Sequence, residues 1–156
     1  FTMNGGSLTS QSGHVFHVTN TDAVITLNDV KIVNEDSEKI LLSVCADGWS
    51  GGKNIATLKA SKQTLAGAVK VGNDSTLNLE LSDGSSFEGS VDGKISNAKG
   101  ETVSTEVGTV SVTLDSTSTW TLSADSYVTS FNGNAANVTA NGHTLYVNGV
   151  ALTGTK

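Results

Sequence analysis

The residues best suited to chemistry lie in one glycine-rich stretch, Ala46-Asp47-Gly48-Trp49-Ser50-Gly51-Gly52-Lys53-Asn54. Trp49 offers a flat aromatic face, Asp47 an acceptor and Lys53 a donor. That mix suits sugar hydroxyls, which need an apolar surface with a few placed polar groups. Gly48, Gly51 and Gly52 let the backbone turn back and present a side chain. No hydrophobic period demands an indole at position 49. The competing reading is a lid, with Trp49 folded flat over a core edge, and only solvent exposure separates the two.

Other reactive side chains are sparse. His14 and His17 lie three apart on an expected strand, so they should face opposite ways and share no metal without a bulge. His143 follows an Asn-Gly turn. All three read as surface or turn residues. Asp22, Asp29, Glu35 and Asp36 recur near expected turns. They leave room for calcium, a hard cation wanting six to eight oxygens. No calcium-loop spacing appears, so solvated acidic turns are the preferred reading and no cofactor is required. Arg is absent, which removes an Arg-dependent lyase. No Asp-Asp pair and no His between glycines suggests a paired-carboxylate hydrolase. These absences point to a protein that is not an enzyme. Cys45, in the apolar run Ile40 to Ala46, reads as a buried, inert thiol.

The formal net charge is −6 and all nine basic residues are Lys. That balance gives no footprint for nucleic acid. No run of about 18 apolar residues occurs, so no membrane insertion is expected.

The elements that must position these residues are strands. Val, Ile and Thr are frequent, Pro is absent and 17 glycines punctuate the chain, a pattern of short strands and tight turns. Val24 to Asn34 reads as a strand, a bend near Asn28-Asp29 and a second strand. Phe1, Val24, Ile55, Leu77 and Val110 open similar blocks at intervals of 23, 31, 22 and 33 residues. A repeat near 22 with insertions of about ten predicts a solenoid. A β-sandwich also wants short, regularly spaced strands, but uneven strand lengths disfavour it. Leu27, Leu79, Leu114 and Leu122 should point inward. Trp120, alternating with Leu122, should join them, while Tyr127 has no clear side. Residues 1–136 read as coils and 137–156 as capping strands. Within the cap, Asn141-Gly142 and Asn148-Gly149 predict antiparallel turns. The chain starts mid-pattern, so earlier coils of its own precursor are expected as partners.

The runs Leu77 to Gly89 and Val112 to Phe131 resemble the closing coils of bacterial right-handed parallel β-helix adhesins and autotransporter passenger domains. With the ending His143-Thr144-Leu145-Tyr146-Val147-Asn148-Gly149-Val150, the chain is similar to clostridial carbohydrate-binding-domain proteins, which are polysaccharide-lyase-like but non-catalytic. The resemblance covers nearly the whole chain and implies an all-β fold, a right-handed parallel β-helix with an antiparallel C-terminal cap. It further implies a secreted or cell-surface binding module contacting polysaccharide or a surface glycan. Two alternatives stay open. One is a structural stalk or protein-binding surface; the other is the end of a lyase or hydrolase whose active site lies upstream.

Overall fold

The computed structural model describes residues 1–48 and 52–156. Among these the chain winds through six coils, each contributing a strand to one long sheet and then a strand to a second. The first coil holds β1 (Thr2–Asn4), β2 (Ser7–Ser10) and β3 (Phe16–Val18), and the second β4 (Thr21–Asn28), β5 (Lys31–Asn34) and β6 (Ile40–Val44). The third holds β7 (Asn54–Ser61) and β8 (Thr64–Val71). The fourth holds β9 (Thr76–Ser82) and β10 (Ser86–Asp92), then the outlying pair β11 (Ile95–Ser96) and β12 (Thr102–Ser104). The fifth holds β13 (Thr109–Leu114), β14 (Thr119–Leu122) and β15 (Ser126–Val128). The sixth holds β16 (Ser130–Asn132), a single 3-10 turn and β17 (Val138–Thr139), before β18 (Leu145–Val147) and β19 (Val150–Ala151).

Both long sheets are six-stranded, ordered β1-β4-β7-β9-β13-β16 and β17-β14-β10-β8-β6-β3. Every pairing within them is parallel. This is the stacked-coil architecture of a parallel β-helix. The partners Thr2–Thr26, Ile25–Leu58, Leu58–Leu79, Leu79–Val112 and Val112–Phe131 set successive offsets of 24, 33, 21, 33 and 19 residues. The short offset is the bare coil. The longer ones carry β5 with the segment leading to β7, and the β11–β12 excursion.

In-register stacking turns the strand alternation into ladders of like side chains. Ile25, Leu58, Leu79, Val112 and Phe131 form one column of the first sheet, and Leu27, Ala60, Leu81 and Leu114 another. Leu27, Leu79, Leu114 and Leu122 are all buried, as their alternation predicts. Cys45 and Trp120 are buried too. Two of the block-opening residues sit on the wrong parity: Val24 is 49 % exposed, and Ile55 pairs with Thr76 rather than Leu77. A one-residue slip moves a side chain to the other face, and β-branched residues occupy both faces of these strands.

The corner after the first sheet is built twice over. Gly5, Asp29, Lys62 and Asp83 stack there in the left-handed conformation. The amides of Gly5, Asp29 and Lys62 donate to carbonyls of the next coil, those of Asn28, Ser61 and Ser82. Inside the same corner Gln63, Ser85 and Ser118 are buried and take backbone amides from neighbouring coils. At its far end Asp115 accepts the Asp83 amide at 2.9 Å. That bond and the nearby Thr117 and Ser118 donors hold the Asp115 carboxyl down at about 2.

The cap is antiparallel only at its last step. β17 continues the second sheet in parallel beside β14, and β18 lies parallel to β15. Only β19 runs antiparallel, on β18, through the Asn148-Gly149 turn. Asn141-Gly142 also turns the chain, with Asn141 left-handed, but it joins strands of different sheets. A turn sequence sets a local reversal; which sheet the next strand enters depends on the coil beneath it. Lys156 then lies along β17, exchanging backbone hydrogen bonds with Val138 and Ala140 at 2.9 and 2.8 Å.

Candidate functional site

Asp47 leads into a groove of about 590 Å³ on the flank of the first two coils. One wall is the outward face of β3 and β6, with the loop carrying His14. The other is the β11–β12 excursion, which contributes Ile95, Ser96, Asn97 and Val103. The long insertion in the fourth coil thus folds back to face the second.

His17 is the hub. Its in-register neighbour is Ser43, whose Oγ lies 3.2 Å from His17 Nδ1. His17 Nε2 lies 3.5 Å from an Asp47 carboxylate oxygen. The ring thus presents Nε2 to Asp47 and Nδ1 to the Ser43 hydroxyl. Asp47 is fixed in turn by its own amide, which donates to Thr19 Oγ1 at 3.2 Å. Ser43 Oγ also touches Cys45 Sγ at 3.7 Å. Burial pushes the Cys45 thiol up, away from a reactive thiolate. The order Asp47–His17–Ser43 outlines a nucleophilic relay, but Ser43 is fully buried. Its hydroxyl holds the ring in place rather than meeting a substrate.

The expected opposition of His14 and His17 does not occur. Their ring centroids are 5.6 Å apart. Strand parity separates side chains only within a strand, and His14 precedes β3 in a bend whose Gly13 amide is held by Asp36 at 2.7 Å. Two of the three histidines have a carboxylate neighbour: His17 has Asp47, and His143 Nδ1 lies 3.9 Å from Asp125.

Of the residues singled out by sequence, Asp47 lines the groove. Lys53 is exposed just before β7 and, among the described residues, is not part of the lining. Trp49 lies outside the described residues. The acidic turns disperse: Asp22 is on the first sheet, Asp29 on a corner, and Asp36 caps the His14 loop. Among the described residues no three His, Cys, Asp or Glu side chains are placed to share a metal ion. Tyr127, whose side the sequence left open, is 41 % exposed and stacked on Tyr146 at 5.2 Å with planes 8° apart. The two inner ring faces cover each other, so the pair offers edges and outer faces rather than a platform.

Burial, and then the neighbouring His17, hold His14 below the ordinary histidine value, against the opposing pull of Glu38, Asp36 and Asp47. The folded chain therefore binds a proton here less readily than the unfolded chain. Stability should be full above about pH 6.5 and fall as pH drops through the depressed value. His14→Gln should flatten that slope in urea midpoints measured between pH 7.5 and 5. An unchanged slope would show that His14 does not set it. Asp115 contributes only further down, below about pH 4.

Comparison with protein families, with characterised proteins and with solved structures finds no match for this chain.

Proposed function

We propose that this chain is a β-helical surface module that holds a neutral polysaccharide in the His14–His17–Asp47 groove without cleaving it. The observation that carries the reading is the groove itself: imidazole, carboxylate and amide groups converge from separate coils around apolar Ile95 and Val103. Hydrogen-bonding groups on a rigid apolar wall are what a sugar ring requires. The buried Ser43 favours binding over chemistry. Secretion or surface display, and calcium as an optional ion, belong to the same proposal.

Affinity electrophoresis in gels containing soluble xylan, xyloglucan or mannan tests it. At least one polymer should retard the wild type. Asp47→Ala and His17→Ala should each weaken that retardation about tenfold, near the cost of a lost charge-assisted hydrogen bond, with the melting temperature held. Equal retardation of the variants, or none of the wild type, would reject the groove. New reducing ends after long incubation would reject the non-catalytic part.

A further inference from the structure

A second concavity, of about 780 Å³, lies on another flank and shares no lining residue with the histidine groove. Lys31, Lys39 and Lys62 line it. On a chain of net charge −6 with nine lysines, three meet in one place. Asp29 and Glu88 also line it, and Ala66 and Gly67 supply a low floor. The Lys39 ammonium rests on the carbonyl oxygen of Asn34, which holds that charge at the groove.

The backbone adds an independent sign. Among the described residues, eight non-glycine residues have positive φ, and six of them are Asn or Asp. Those two types tolerate the left-handed conformation because their short polar side chains bond locally. The exceptions are Lys39 (φ 55°) and Lys62 (φ 51°), and both line this groove. Lys62 stands in a corner column between Asp29 and Asp83, so the equivalent turns of adjacent coils show what the backbone prefers. Local rules broken twice at one concavity mark a position held for something other than folding.

We propose that this groove binds a carboxylated polysaccharide, a uronic-acid polymer, through Lys31, Lys39 and Lys62. Lysine offers mobile point charges, and the acids between them ask for a ligand that carries hydroxyl donors as well as negative charge. A chain bearing one carboxylate per sugar can meet the lysines while its hydroxyls donate to Asp29 and Glu88. A nucleic acid, with its dense phosphate charge, would be repelled by those same two acids.

Calorimetry with oligogalacturonate at low salt, in chelator, tests the proposal. The wild type should bind, and the double variant Lys39→Asn/Lys62→Asn should bind at least tenfold more weakly. Asparagine suits both turns, so the variant should melt no lower than wild type, and its binding should depend less steeply on salt. In the Asp47→Ala background, which disables the histidine groove, carboxyl-reduced oligomer and a single-stranded oligonucleotide should both fail to bind. Asp47→Ala, which tests the histidine groove, should leave oligogalacturonate binding intact. The proposal is overturned if the wild type does not bind, if the double variant binds equally, or if Asp47→Ala abolishes binding. It is also overturned if, in the Asp47→Ala background, the reduced oligomer or the oligonucleotide binds as well as oligogalacturonate.

Discussion

Trp120→Ala should destabilise the fold by about 3–5 kcal/mol, the range for removing a buried aromatic side chain. Trp120 is 0 % exposed and stands in the column Leu65–Phe87–Trp120–Val138 of the second sheet. Its ring stacks on Phe87 with centroids 5.5 Å apart and planes inclined by 24°. Its Nε1–H donates to the Gly89 carbonyl at 3.0 Å. Gly89 is shaped to this arrangement: a Cβ there would lie 2.1 Å from the Gly67 oxygen and 2.3 Å from the Phe87 ring. Alanine at position 120 would leave a cavity between two coils that cannot close without sliding them. Trp120→Phe should cost less, keeping the stack and losing one of the two donors to the Gly89 carbonyl, which the Ser123 amide still reaches at 3.2 Å, a loss of about 1 kcal/mol. Urea denaturation of both variants checks the order. A loss under about 1 kcal/mol for alanine would mean that the column repacks, against the close-packed interior assumed here.

Gln63→Leu should be nearly as damaging although it makes the interior more apolar. Where the chain leaves the corner, Val30 has no strand beside it. The Gln63 amide takes that role: Oε1 accepts the Val30 N–H at 2.9 Å and Nε2 donates to the Val30 carbonyl at 2.7 Å. Nε2 also donates to the Thr64 carbonyl at 3.0 Å. Leucine fills similar space but strands a buried donor and a buried acceptor on Val30. At about 1–3 kcal/mol for each unsatisfied group, the cost is roughly 2–6 kcal/mol. Gln63→Glu should be no milder: it restores the acceptor but buries a carboxylate against the Val30 and Thr64 carbonyls. Chemical denaturation with all three proteins settles the point. A leucine variant as stable as wild type would show that water reaches Val30, and the internal amide would then be dispensable.

Much of the architecture was legible in the residue order. Alternation marked Leu27, Leu79, Leu114, Leu122 and Trp120 as inward, and each is buried. The bend at Asn28-Asp29 falls between β4 and β5, with Asp29 left-handed. The Asn148-Gly149 turn carries the one antiparallel step of the cap. Such features are local, written in side-chain period and turn chemistry over a few residues. The coil repeat was legible too, because stacked coils must place like residues at like intervals, though the phase slipped where Val and Ile lie on outward positions.

The grooves were not legible. His17 meets Ser43 only because β3 and β6 pair in that register. Asp47 reaches His17 because the chain returns past Thr19, and the β11–β12 excursion supplies the facing wall from another coil. Lys31, Lys39 and Lys62 are equally scattered in sequence and meet across two coils. By itself the sequence determined strand periodicity, the turns, the inward columns and the net negative charge. Only the tertiary structure decided which polar side chains share a groove. The reason is that coil lengths of 24, 33, 21, 33 and 19 residues set the lateral neighbours, and no local pattern encodes the sum of the insertions between them.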